Sequence, residues 1–173
     1  MDGDRAFGPY VVVGASGILA PLGRVLSAHG VHTVGVSRGD RLGRGEWDER
    51  VALDTHDVGA VTDWLAGRQT PFAALIGYDP AVAADCWPLL ARGAARVVVV
   101  ATSSWAEPGS STGPWVILPA AVVVQLGWAL APGGSRWHTP DEVSTAVAQS
   151  LADGPAPRTV LLGSVRPWSA RPR

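Results

Sequence analysis

The chain has 173 residues, enough for one domain spanning 1–173 with a substantial core, and 47% of them are hydrophobic, as in a globular protein. A net charge of −1 offers no basic surface for nucleic acid, and no apolar run reaches the ~18 residues needed to cross a bilayer. The one cysteine, Cys86, excludes an intramolecular disulfide, and the four histidines are scattered without ligand spacing, so no metal is expected.

In chain order, the acidic start MDGDRAFGPY lacks signal character, which makes a cytoplasmic protein the expectation. Val11 to Val13 form a β-branched run that enters Gly14-Ala15-Ser16-Gly17. Ile18, Leu22, Val25, Leu26 and His29 then follow at helical spacing up to Gly30. This reads as strand, tight glycine turn, helix. Such a turn brings backbone close to a pyrophosphate, which rests on free N–H groups and the positive helix end. Gly14, Ser16, Gly17 and Ile18 are the candidate contacts. The Gly14-x-x-Gly17-x-x-Ala20 spacing has a shorter first gap than the GxGxxG fingerprint, and the bland alternative is a βα turn with no ligand.

The second strand is Val31 to Ser37, followed by the polar GDRLGRGEWDER. A third, Val51 to Leu53, ends at Asp54-Thr55-His56-Asp57, and residues 58–67 suit a helix closed near Gly67. Phe72 to Ile76 is a fourth strand, ending Gly77-Tyr78-Asp79-Pro80, with a helix over 80–92 bent or restarted at Pro88. Val97 to Ala101 reads as a strand buried on both faces, and 103–114 as a loop. Val122 to Leu126 is the sixth strand, Pro140 to Leu151 a helix, and Val160 to Val165 the seventh strand. Repeated βα units imply an α/β, doubly wound Rossmann-type domain with a parallel sheet of about seven strands and helices on both faces.

In such sheets ligands lie beyond the carboxyl ends of the strands. Arg38 closes the second strand, where an adenosine ribose would lie. An acid there would accept from both ribose hydroxyls, whereas Arg pairs with a 2′-phosphate. Ser37-Arg38 therefore favours NADP(H) over NAD(H), with Asp40 as the residue that could undercut this and a solvated loop arginine as the bland reading. Gly77 is a further candidate on the cofactor side.

Gly14-Ala15-Ser16-Gly17, Arg38, Asp54 and Thr102-Ser103-Ser104 together resemble the short-chain dehydrogenase/reductase superfamily. The resemblance implies that Asp54 bonds the adenine amino group and that Ser104 positions a substrate carbonyl. The second half, with Ser135-Arg136-Trp137-His138-Thr139 and a terminal Pro167-Trp168-x-x-Arg171-Pro172, resembles a group of small bacterial short-chain dehydrogenase-like proteins. The likeness covers nearly the whole chain and is specific for fold and cofactor, not for reaction. It implies a small-molecule substrate and a homodimer or homotetramer.

One departure bears on mechanism. The superfamily's proton donor is a Tyr four residues before a Lys. This chain has no lysine, its only tyrosines are Tyr10 and Tyr78, and the corresponding stretch reads Trp115-Val116-Ile117-Leu118-Pro119. An ordinary Tyr/Lys carbonyl reductase is excluded. The segment Gly134 to Thr139 follows the sixth strand and is expected to overhang the nicotinamide end. There His138 has the pKa for acid–base work, Arg136 could hold an anion, and Trp137 and Trp105 could wall the pocket. Tyr78 is a candidate displaced donor or an aromatic wall. Thr139-Pro140-Asp141-Glu142 fits a capping box, and Asp79 reads as a helix cap rather than an acid. Three readings follow: an NADP(H)-dependent oxidoreductase with a non-standard proton relay, a redox-neutral isomerase, lyase or cyclase on the same scaffold, or a non-catalytic dinucleotide sensor.

Overall fold

The computed structural model describes residues 8–39, 46–111, 113–118, 120–154 and 156–172, so Asp40 lies outside the described residues. Seven strands form one sheet in which every pairing is parallel: β1 (Tyr10–Val13), β2 (Thr33–Ser37), β3 (Glu49–Ala52), β4 (Ala74–Tyr78), β5 (Val97–Ala101), β6 (Val122–Leu126) and β9 (Arg158–Leu162). Their order, β3-β2-β1-β4-β5-β6-β9, reverses direction between β1 and β4. That switch leaves a crevice at the carboxyl ends of those two strands.

The strands are Val-rich because both faces are covered. On one side α1 (Leu22–Ser27) and α4 (Pro140–Ala152) bury Leu22, Leu26, Val143 and Val147 against Val12, Ile76, Val98 and Val124. On the other, α2 (Val58–Ala66) and α3 (Cys86–Arg92) bury Val61, Trp87 and Leu90 against Val11, Val13, Leu75 and Val99. Each fully buried aliphatic or aromatic side chain is worth about 1.5–3 kcal/mol relative to exposure.

The helix ends follow local chemistry. Asp57 caps α2 by accepting from the Ala60 N–H at 3.0 Å. Thr139 and Glu142 form the expected capping box on α4, with Pro140 in its first turn. Two helices are shorter than their spacing suggests. Residues 14–21 form successive tight turns, and the first regular helical bond runs from Val25 N–H to the Pro21 carbonyl, so α1 is six residues long. The stretch 80–92 divides into a single turn at Asp79–Ala81 and then α3, with Pro88 in its first turn, where a proline sacrifices no bond.

One element departs from expectation altogether. Residues 134–137 are not a loop but a strand, β8 (Gly134–Trp137), paired antiparallel with β7 (Trp128–Ala131). Pro132-Gly133 makes the turn, with Gly133 at a φ of 94°. The last sheet strand, too, ends earlier than expected, at Leu162, before Gly163 at a φ of 82°.

Candidate functional site

The crevice at the switch point is a cavity of about 230 Å³. Its floor is the turn after β1. Gly14 has a φ of 87°, and a Cβ there would stand 3.0 Å from the Tyr78 Cβ and 3.2 Å from the Ala81 Cβ. Both penalties require glycine. The Gly14 and Ala15 N–H groups donate to the Val36 carbonyl at 3.0 and 3.2 Å, tying the turn to β2. The Gly17 N–H is consumed by the Gly14 carbonyl and the Ala20 N–H by the Gly17 carbonyl, whereas the N–H groups of Ser16 and Ile18 make no hydrogen bond among the described residues. Ser16 and Gly17 line the open side.

Ser37 and Arg38 close one end of this groove and Tyr78, Pro80 and Ala81 the other. The Ser37 hydroxyl donates to the Gly39 carbonyl at 2.7 Å. Arg38 is exposed and forms no hydrogen bond or ion pair among the described residues. Thr55, which the sequence placed after the third strand without a role, also lines the groove and donates its hydroxyl to the Ala81 carbonyl. Asp54 and Gly77 stand apart. Asp54 accepts from the His56 N–H at 3.0 Å, and its carboxylate lies 3.4 Å from the His56 ring. Gly77 faces the opposite layer, where a Cβ would meet the Trp87 ring at 2.3 Å. The glycine makes room for an indole.

Over β4 and β5 the groups are different. Asp79 is only 8% exposed, and its carboxylate accepts from the Trp105 indole N–H at 2.7 Å. It does not cap a helix with its side chain, because the partner comes from a loop 26 residues away. Burial pushes the Asp79 carboxyl up from its usual range, with the indole N–H working against it. Burial, reinforced by Asp79, pushes the Tyr78 phenol up as well. Trp105 stands edge-on to Trp115 with centroids 5.1 Å apart. Ser104 is exposed, 2.6 Å from the Thr102 hydroxyl.

The residues expected over the nicotinamide end lie on the hairpin beyond β6 and just after it, and none of them lines this groove. The His138 side chain is 8% exposed, and neither ring nitrogen has a hydrogen bond. Its Nε2 packs against Gly163, where a Cβ would come within 2.3 Å, and its Nδ1 lies 3.4 Å from Glu142. Gly163 follows β9, so β4, β5 and β6 separate His138 from β1. Arg136 is held by Glu142 through two bonds of 2.6 and 2.8 Å, which leaves it no open fork for a substrate anion. That pairing holds the Glu142 carboxyl far below its usual range. Trp137 is exposed and packs edge-on against buried Trp128. Arg136 and Trp137 thus lie in the separate β7–β8 hairpin and His138 just after it, packed against the end of β9 rather than lining the groove.

Two larger cavities, of about 480 and 380 Å³, lie at the opposite end of the strands around Arg68. That arginine is bonded to Glu49 and lies 4.7 Å over the Trp64 ring. Among the described residues no helix is long and apolar enough to cross a membrane, and no three metal-ligating side chains converge.

No family model and no curated protein matches the chain. Solved structures do. A short-chain dehydrogenase/reductase from Vibrio parahaemolyticus superposes with a TM-score of 0.68 at 12% identity, covering 89% of this chain and 98% of its own. A short-chain dehydrogenase from Streptomyces avermitilis gives 0.64 at 14% identity, with 91% and 89% covered. A UDP-N-acetylglucosamine 4-epimerase from Bacillus cereus gives 0.63 at 10% identity, with 91% and 78% covered. At these identities the likeness is one of fold: the chain shares the Rossmann-type α/β scaffold of these structures.

Proposed function

We propose that this chain is an NADP(H)-binding oxidoreductase acting on a small organic substrate, with a proton relay that uses no Tyr/Lys pair. The observation that carries this reading is the groove itself, in which a positive-φ glycine turn with free amides faces an unpaired arginine. The groove accepts a dinucleotide on its own chemistry. A Cβ at Gly17 would meet nothing nearer than the Gly14 carbonyl at 3.8 Å, so the backbone is open to a phosphate. The Ser16 and Ile18 amides would hold the pyrophosphate and Arg38 the 2′-phosphate. Neither residue closing β2 is acidic, which removes the acceptor that a 2′-hydroxyl requires. When bound, the dinucleotide would supply or accept a hydride.

The test is a calorimetric titration with NADPH and, separately, NADH, on the wild type and on Arg38→Ala. Losing a charge-assisted phosphate pair is expected to weaken NADPH binding at least about tenfold and leave NADH binding unchanged. Equal affinity for both nucleotides in both proteins, or no binding at all, overturns the reading. A redox-neutral enzyme on the same scaffold is the second reading, favoured by the missing Tyr/Lys pair. It predicts turnover with no net change in nicotinamide absorbance.

A further inference from the structure

We propose that Asp79 is the proton donor and acceptor of this site, positioned by the Trp105 indole, in place of the Tyr/Lys pair that the chain lacks. This rests on the dinucleotide reading above. Among the described residues Asp79 is the one acidic side chain in the buried class. It has no cation beside it. Its single side-chain partner is the neutral Trp105 N–H, on Oδ2. Its Oδ1 has no hydrogen-bond partner among the described residues. One oxygen is fixed and the other is unpaired.

A purely structural anchor for Trp105 would not need a charge, because an asparagine oxygen accepts an indole N–H equally well and without the cost of burying an unpaired carboxylate. Position adds to this. Tyr78 and Pro80, on either side of Asp79, line the groove, and the Asp79 carboxylate itself is directed beside it, to Trp105 on the loop after β5. Trp105 lies one residue from Ser104, on the loop after the neighbouring strand β5. The other proton carriers are disfavoured: His138 is sealed at the far edge, Ser104 is engaged with Thr102, and the Tyr78 phenol is pushed above its usual value. Burial moves Asp79 the useful way, since it keeps its proton to a higher pH than an ordinary carboxyl. The titratable group coupled to it is Tyr78; the loop after β5 presents the hydroxyls and indole and also carries the exposed Glu107, and Arg166 donates to its Ala106 carbonyl at 2.6 Å.

The chemistry balances for reduction of a carbonyl substrate. The Asp79 O–H bond would break as a new O–H bond forms on the carbonyl oxygen, with the hydride to carbon coming from the reduced dinucleotide that the groove would hold, and the product is the alcohol. The carboxylate left behind would regain its proton from solvent.

The test exploits the fixed positive charge of the oxidised nicotinamide ring, which favours an ionised carboxyl beside it. NADP⁺ and NADPH are titrated calorimetrically in buffers of different ionisation enthalpy across the acidic pH range, on wild type, Asp79→Asn and Trp105→Phe. The wild type is expected to release up to one proton more with NADP⁺ than with NADPH, any proton lost by the 2′-phosphate being common to both. Asp79→Asn, which keeps an acceptor for the indole, should bind both and show no such difference. Trp105→Phe should keep the difference, with its midpoint moved to higher pH. A difference that survives in Asp79→Asn, or that is absent from a wild type that binds NADP⁺, overturns the proposal. An unmoved midpoint in Trp105→Phe overturns the positioning role. Failure of the wild type to bind either nucleotide instead overturns the dinucleotide reading, and this proposal with it.

Discussion

Gly17 and Gly77 share a residue type and a place in the sequence reading, but they do different work. Gly17 lies at the groove with nothing within 3.8 Å of an added Cβ and no positive φ, so Gly17→Ala should fold with an unchanged Tm. Its methyl group would project toward any phosphate on the turn, and NADPH binding should weaken about tenfold or more. Gly77→Ala would drive a methyl into the Trp87 ring in the opposite layer. It should destabilise the protein by about 1–3 kcal/mol, the usual cost of overpacking, with little change in the intrinsic affinity of the folded protein. Thermal melts and NADPH titrations on the two variants check both statements. A Tm loss in Gly17→Ala as large as that in Gly77→Ala would contradict the assignment. In the sequence both glycines come just after an apolar run, so they read alike, but Gly77 lies within β4 and Gly17 in the turn after β1. What separates them is the face of the sheet, and the contact with Trp87 is visible only once the strands are paired.

At the scale of the element, the capping box of α4 shows local chemistry surviving tertiary context. Thr139-Pro140-Asp141-Glu142 caps the helix as its residue types dictate, because every partner lies within one turn. Glu142 then serves a second purpose by holding Arg136. The Arg136 bond, followed by the Thr139 N–H, keeps the Glu142 carboxyl far below its ordinary value in the folded state. A depressed folded pKa gives stability that is fully present above the unfolded value of about 4.3 and is lost progressively as pH falls from there through the folded value. Glu142→Gln should therefore melt below the wild type near neutrality, by a small and salt-sensitive margin because the pair is exposed, and the gap should close in acid. A gap that stays constant with pH would rule out the ion pair as its source. The β7–β8 hairpin shows the reverse case. Its strands, WALA and GSRW, are four residues each with little alternation, and only Pro132-Gly133-Gly134 signalled a turn. Missing the hairpin misplaced His138, Arg136 and Trp137 together, since a loop after β6 would have stayed over the cleft.

At the scale of the whole molecule, the parallel sheet was legible because each buried strand is a short β-branched run between polar segments, and its βα alternation admits few topologies. The groove was half legible. The residues immediately after β1 and β2 face it as expected, whereas Thr55 and Ala81 enter it only through the crossing of two loops. Asp79 was read as a cap because Asp-Pro precedes a helical turn, and its actual partner, Trp105, is remote in sequence. The far edge of the sheet is organised around Trp128, fully buried, with its backbone paired to Ser164 and its ring against Trp137 and Trp168. This edge packs the hairpin against the end of β9.

The most direct test of the account is a crystal structure of the protein grown with NADPH. The account predicts the pyrophosphate on the Ser16 and Ile18 amides, the 2′-phosphate on Arg38, and the nicotinamide within reach of Asp79. A dinucleotide bound at the Arg68 end of the sheet, or one whose nicotinamide turns away from Asp79 toward His138, would contradict it.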